Sequence, residues 1–476
     1  MALVGASAVC STRPAALAAP APIALRVDNR QLEVLGKAAT VYGIFGPDGP
    51  RGLTVDAEAP FDAVVTNAIA EPTILHWHGQ EPPAAEDGNR YYAEIASGDA
   101  LRYRFQPRAG SHWIHSHHGL QEANLMAAPL IFRTRAARAE DRQEVVLMLH
   151  DFSFTPPEEI YANLRARKPD EKAETAEAMP TSEGAGAGGE TAPDGTRKTA
   201  MKMPDGTPLD LNDVDFDAYL ANDRTLDDPE IVPVEAGGRV RLRVVNAASS
   251  TNFFLDLGAL TGTLVAVDGT ACKPVTASRF PLAVAQRLDI ALDLDGAGVW
   301  PVLAQREGDT VRTGIVLATP GAHVAKVASH AAEAAGPVAA SDLERRLTAT
   351  QPLDTRAADR AFRILLTGDM ATYSWGLAVE SDGGPGFTVR YGERVALTLV
   401  NQTGMAHPMH LHGHHFQVEA IGDDRFAGAI RDTVMVGPRQ SVRIAFDAVN
   451  PGQWPFHCHI AYHQTAGMIT KLDYVG

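Results

Sequence analysis

The sequence predicts an all-β protein made of three consecutive β-sandwich domains. Its 476 residues are too many for one core and suit about three domains of roughly 150 residues. Short runs rich in Val, Leu, Thr and Phe, such as Arg239–Val245, Thr263–Val267 and Ala396–Val400, read as strands. Between them 42 glycines and 31 prolines act as turn punctuation, and long amphipathic helical patterns are hard to find.

Taken in order, residues 1–22 read as the remnant of an export signal: Met1–Val9 is apolar and Ala16-Leu17-Ala18 resembles a cleavage site. The first basic residue is Arg13, so the basic start of a leader is missing. The first domain is expected over 23–143, where short strands surround two histidine clusters. The second, 144–325, begins at Glu144-Val145-Val146-Leu147-Met148-Leu149 and is interrupted over about 166–205. That stretch is Glu, Ala, Gly, Thr and Pro with almost no large apolar residue. It cannot bury enough surface to offset its chain entropy and reads as a flexible surface insertion. Strand patterns resume at Glu230–Val234 and run to about Leu317. An Ala-rich linker over His323–Ala340 precedes the third domain, 341–476. No short-period repeat is visible.

The formal net charge is −16, from 58 acidic against 42 basic residues. No basic stripe exists to neutralise phosphates, so a nucleic-acid partner is excluded. The acidic surface serves solubility and is compatible with cationic partners. No run reaches the roughly 18–20 apolar residues of a membrane span. The cysteines are Cys10, Cys272 and Cys458; with Cys10 in the processed segment no disulfide framework remains, and Cys272 reads as an inert buried thiol.

Chemistry is concentrated in four clusters: His76-Trp77-His78, His115-Ser116-His117, His407-Pro408-Met409-His410-Leu411-His412 and His457-Cys458-His459. Imidazole and thiolate are ligands that suit copper. Residues i and i+2 of a strand face the same way, so each of the pairs His76/His78, His115/His117, His410/His412 and His457/His459 points to one side. Two pairs come from each end of the chain, which predicts a shared site between the first and last domains. Eight imidazoles are too many for one metal and suit a cluster of three. Cys458 points to the opposite face. His407, His463 and Met468 can join it there, giving two imidazoles, a thiolate and a weak thioether, the ligand set of a blue-copper centre.

This pattern resembles the multicopper oxidases: laccases, bilirubin oxidases and copper-resistance oxidases. Flanking segments match too, namely Glu71-Pro72-Thr73-Ile74-Leu75, Asp432-Thr433-Val434, Val267-Asp268-Gly269 and Gln286-Arg287-Leu288-Asp289. The resemblance implies three cupredoxin-like Greek-key β-sandwich domains and four copper ions. By it, His407, Cys458, His463 and Met468 hold the type 1 copper, and His76 and His410 the type 2 copper. His78, His115, His117, His412, His457 and His459 hold the type 3 pair. Electrons arrive one at a time through the exposed edge of His463, and Cys458 and its neighbours pass them on. Asp87 resembles the acidic residue near the type 2 copper of bacterial members, though an Asp-Gly turn alone would also explain it. Gln464 departs from the pattern, standing where several bacterial relatives carry a proton-delivering glutamate; Glu122 is a substitute.

His112, His118, His414 and His415 fall outside the ligand pattern and read as supporting or surface residues, and His150, His323 and His330 as structural or solvent-exposed. Met468 as axial ligand implies a low-to-middling potential, favouring easily oxidised donors. The partners implied are dioxygen and a small aromatic reductant, with a laccase-like activity on phenols. Cuprous ion is the alternative reductant: Met405 and Met409 flank His407, and Asp215-Phe216-Asp217-Ala218-Tyr219-Leu220-Ala221-Asn222 resembles copper-resistance oxidases. A copper-binding protein without turnover, or a division-associated cupredoxin, is the reading from another class; a complete ligand set speaks against it. The implied location is periplasmic or secreted.

Overall fold

A computed structural model describes residues 21–50, 52–166, 190–191, 197–198, 211–381 and 387–476. The export remnant at 1–22 lies outside the described residues except for its last two, and the insertion at 166–205 does so except for five.

Each domain is a sandwich of two sheets. In the first, one sheet orders Lys37–Phe45, Ile23–Val34, Phe61–Asn67 and Ala100–Phe105. The other orders Leu53–Asp56, Ala127–Arg133, Gly110–Ser116 and Leu75–His78. The second domain has sheets of six and five strands. The third has a seven-stranded and a five-stranded sheet. One pairing pattern recurs in all three. A domain's first strand runs parallel to a later one, Ile23–Val34 with Phe61–Asn67, Gln143–Phe152 with Arg239–Asn246, and Arg360–Asp369 with Arg394–Asn401. The second sheet repeats the device, pairing Leu53–Asp56 with Ala127–Arg133, Ile231–Pro233 with Arg312–Ala318, and Phe387–Val389 with Ile469–Tyr474. The repeat escapes sequence inspection because ladder bonds are made by the backbone and impose no particular side chain.

Alternation decides which face is buried. In Phe61–Asn67 the residues Phe61, Ala63 and Val65 are buried while Asp62 and Val64 are partly exposed, the period of two of a half-buried strand. Each domain has its own core. Trp77, Tyr103 and Phe132 lie in the first, Phe253, Phe280 and Ile290 in the second, and Phe416, Phe446 and Trp454 in the third. Two smaller apolar clusters join the first domain to the second, one around Phe152 and Leu220, the other around Trp113 and Met148. The helix Pro157–Ala166 starts with proline at its first turn, where the missing N–H costs nothing. Its Ile160 and Leu164, one turn apart, pack into the third domain's core. Among the described residues no helix is long and apolar enough to cross a membrane.

Candidate metal centres

Two antiparallel strand pairs build the site. Leu75–His78 pairs with Gly110–Ser116, setting His76 opposite His115 and His78 opposite Trp113. His407–Leu411 pairs with Gln453–Cys458, setting His410 opposite His457 and Met409 opposite Cys458. The pleat turns Trp77 into the first domain's core and leaves His76 and His78 together on the other face.

All eight imidazoles converge between the first and third domains. His412 Nε2 lies 3.1 Å from His117 Nε2 and 3.0 Å from His457 Nε2. His78 Nδ1 lies 3.4 Å from His115 Nε2, and the His459 ring is centred 5.0 Å from both of those rings. His76 and His410 complete the group, their ring centres 5.7 Å apart.

Burial pushes His78, His115, His117, His410, His412 and His459 well below the ordinary histidine range, and crowded neighbouring imidazoles add to it. His457 is brought down to about 3, again chiefly by burial. These rings are therefore neutral, each with a lone pair to give. Nε2 of His76, His410 and His459 is buried with no hydrogen-bond partner in the protein, an arrangement that suits metal cations and is costly otherwise.

The outward nitrogens are held by acceptors, the usual support of metal-binding histidines. His76 Nδ1 faces the Asp87 carbonyl at 3.1 Å, and His412 Nδ1 the Asp87 carboxylate at 2.9 Å. Asp87 is wholly buried. The Asp-Gly turn is also present: Gly88 has φ +72°, and a Cβ there would lie 1.6 Å from the Leu75 carbonyl oxygen. Glu122 lies 2.7 Å from His115 Nδ1 and 3.6 Å from His459 Nδ1, and burial pushes its carboxyl up to about 7. Asp432 faces His78 Nε2 at 3.1 Å. Burial alone would raise its carboxyl, but Arg287 and then His78 outweigh that and hold it well below the usual carboxylate range.

On the other face of the Cys458 strand, Cys458 Sγ lies 3.7 Å from both His407 Nδ1 and His463 Nδ1, which are 3.1 Å apart. The far nitrogens are anchored by Thr403 Oγ1 at 2.7 Å from His407 Nε2 and Asp213 Oδ2 at 2.8 Å from His463 Nε2. Met468 is wholly buried, and its carbonyl accepts from the Cys458 N–H at 3.0 Å. Burial raises the Cys458 thiol far above its ordinary value, so its thiolate needs a cation beside it.

One expectation is corrected here. The His463 edge is not exposed: both His407 and His463 are fully buried. Trp375 lies with its ring centre 4.2 Å from the His463 ring. Asp213 covers Nε2 and itself accepts a 2.5 Å hydrogen bond from the Tyr373 hydroxyl. Asp213 and Trp375 come from other parts of the chain, and no spacing ties them to His463; only folding brings them there. The acidic run that begins at Asp213 was the one available signal. Among the remaining histidines, His112, His150 and His414 are buried and His118 half-buried, while His415 pairs with Glu81 at 2.7 Å. Cys272 is a buried free thiol, raised by burial to about 11.

A sandwich triplet that gathers eight imidazoles on one side of a strand, and a thiol with two further imidazoles on the other, defines a copper-dependent oxidase class. Three family models described as multicopper oxidase match residues 32–137, 144–325 and 357–475. A multicopper oxidase of Mycobacterium tuberculosis is 31% identical, the match covering 86% of this chain and 78% of that protein. A copper resistance protein A homolog of Pseudomonas syringae pv. tomato is 26% identical, over 94% of this chain and 91% of its own length. Among solved structures, Fet3p, a multicopper oxidase that functions in iron import, superposes with TM-score 0.71 at 17% identity, covering 95% of this chain and 90% of that one. The laccase of Botrytis aclada does so with TM-score 0.71 at 21% identity, covering 94% and 86%. The chain belongs to the multicopper oxidase family, oxidoreductases that use dioxygen as acceptor and bind four coppers.

Proposed function

We propose that His407, Cys458, His463 and Met468 hold the type 1 copper, and that His76 and His410 hold the type 2 copper. The type 3 pair is held by His78, His115 and His459 on one side and His117, His412 and His457 on the other. When bound, the coppers supply one-electron oxidation of a donor at one site and four-electron reduction of dioxygen to water at the other. The observation that carries this reading is the register of His407–Leu411 on Gln453–Cys458. Met409 opposes Cys458 while His410 opposes His457, so one tripeptide faces both sites. Cys458 gives a covalent path from the thiolate to its flanking imidazoles. Asp87 and Glu122 hold protons at the outer nitrogens of His412 and His115 and are the groups proposed to relay them. Glu122 thereby stands in for the acid missing at Gln464.

Small electron-rich phenols and related aromatics are the proposed donors. Support comes from Asp213, which bridges His463 and the Tyr373 hydroxyl: a carboxylate beside the proposed copper ligand already accepts a phenolic O–H, the contact a phenol would make. Met405 favours a second reading, cuprous ion, because Met405 and Asp213, residues with a soft thioether and a carboxylate, line one small cavity. That reading also fits the relatives named for copper resistance. The proposed location is outside the cytoplasm, periplasmic or secreted, and the proposed domain limits are 23–143, 144–325 and 341–476.

Dioxygen uptake by copper-loaded protein, measured first with a methoxyphenol and then with chelated cuprous ion, tests the donor. Faster uptake with the phenol is expected. Uptake with cuprous ion alone would replace the phenol reading with copper detoxification, and uptake with neither would remove both.

A further inference from the structure

The middle domain carries none of the proposed copper ligands, yet its Arg287 reaches the edge of the histidine cluster. The side chain is wholly buried. Its Nη1 donates to Asp432 Oδ1 at 2.8 Å and its Nη2 to Asp432 Oδ2 at 2.5 Å, the planar fork matching the carboxylate. Its Nε donates to the Ser111 carbonyl at 3.2 Å, and its backbone N–H to Asp268 at 2.9 Å. One residue thus ties all three domains together.

Asp432, so clamped, faces imidazoles from two domains. Its Oδ1 lies 3.1 Å from His78 Nε2, and its carbonyl oxygen 2.9 Å from His410 Nδ1. A carboxylate and a carbonyl only accept, so the proton sits on the ring nitrogen at each contact. A neutral imidazole has one N–H, which leaves the lone pair on Nδ1 in His78 and on Nε2 in His410. Those are the inward nitrogens: His78 Nδ1 faces His115 Nε2, and His410 Nε2 is buried without a protein partner. Asp432 therefore imposes opposite tautomers on two rings stacked 3.8 Å apart.

The backbone makes room for this contact. Gly79, directly after His78, has φ +84°, and a Cβ there would lie 2.3 Å from Arg287 Nη2 and 3.0 Å from Asp432 Oδ2. Only a bare backbone allows the guanidinium to come this close.

We propose that Arg287 is a positioning residue for the copper cluster, fixing through Asp432 which nitrogens of His78 and His410 face the metals. The proposal rests on the reading that these two histidines bind copper. Arg287→Gln removes the fork; Arg287→Lys keeps the charge without the bidentate geometry. In copper-loaded Arg287→Gln, retention of the cluster coppers that His78 and His410 would hold, the type 2 copper included, should fall about ten- to hundred-fold against a chelator. The type 2 paramagnetic resonance signal should change shape, while the blue absorbance of the type 1 site, on the far face of the Cys458 strand, stays. Arg287→Lys should recover part of the retention. Copper stoichiometry and a type 2 signal like the parent's in Arg287→Gln overturn the proposal; should that variant fail to fold, the same result in Arg287→Lys does so. His410→Ala separates the two claims. A full copper complement in it refutes the ligand reading and this inference together. Copper loss there beside parent-like Arg287 variants refutes the inference alone.

Discussion

Cys458 shows most directly how one residue's placement sets the chemistry. Its thiol is buried, raised by that burial, and within reach of two imidazoles whose far nitrogens are anchored, while the residues on either side point to the cluster. Serine is nearly the same size, so Cys458→Ser should fold, at a cost of about 1–3 kcal/mol for a buried hydroxyl that loses its partner. The variant is expected to lose blue absorbance and dioxygen uptake while its circular dichroism stays unchanged. Oxidase activity at the parent's level would refute the proposed route through Cys458. His463 carries the other lesson at this scale. Its identity as a candidate was legible from its spacing after Cys458; its cover was not, because Trp375 and Asp213 are local neighbours only in the folded chain.

At the scale of elements, two strand pairs supply the geometry. Period-two alternation was readable in the sequence and set the paired histidines on one face and Cys458 on the other; in the structure it also turns Trp77 into the first domain's core. The register between strands was not readable: a slip of one residue would turn every side chain to the other face. Turns lock that register. Gly88 lies against the Leu75 carbonyl with φ +72°, and the turn it allows presents Asp87 to His76 and His412. Gly88→Ala should therefore destabilise the protein by at least about 1–3 kcal/mol through backbone strain alone, with overlap against Leu75 adding to it. Dioxygen uptake should fall with it as Asp87 is displaced. A thermal midpoint equal to the parent's would show that the turn relaxes freely.

The whole molecule stakes its stability on keeping many imidazoles neutral. Burial lowers eleven of them among the described residues: His78, His112, His115, His117, His150, His407, His410, His412, His414, His457 and His459. Their ordinary value is 6.5, so below that pH the unfolded chain binds protons the folded one refuses, and stability falls as pH falls. Four buried acids act in the opposite sense. Burial raises Glu122 and Glu307 to about 7 and also raises Asp151 and Glu344; the folded chain keeps their protons longer, so they lose stability as pH rises through their folded range. The imidazoles outnumber them. The thermal midpoint of the metal-free protein should be lower at about pH 5.5 than at about pH 7.5. A flat profile, or one of the opposite slope, would mean that these rings are protonated or solvated in the folded state.

By itself the sequence determined the fold class, the candidate ligand types and the pairing of those residues on strand faces. Those follow from short-range rules: strand alternation, turn residues, and the affinity of imidazole and thiolate for copper. It also carried the Asp432 and Arg287 motifs without a reason for them. Only the tertiary structure decided that Glu122 meets His115 and His459, that Asp213 and Trp375 cover His463, and that the middle domain, which carries none of the proposed ligands, reaches the cluster through Arg287 on Asp432. Apart from Glu122 and His115, which are near in sequence, these contacts join residues far apart in the chain, and neither spacing nor composition encodes them. They arise when three separately built sandwiches bury their charged and polar edges against one another, where each buried group must find a partner or go unpaired at a cost.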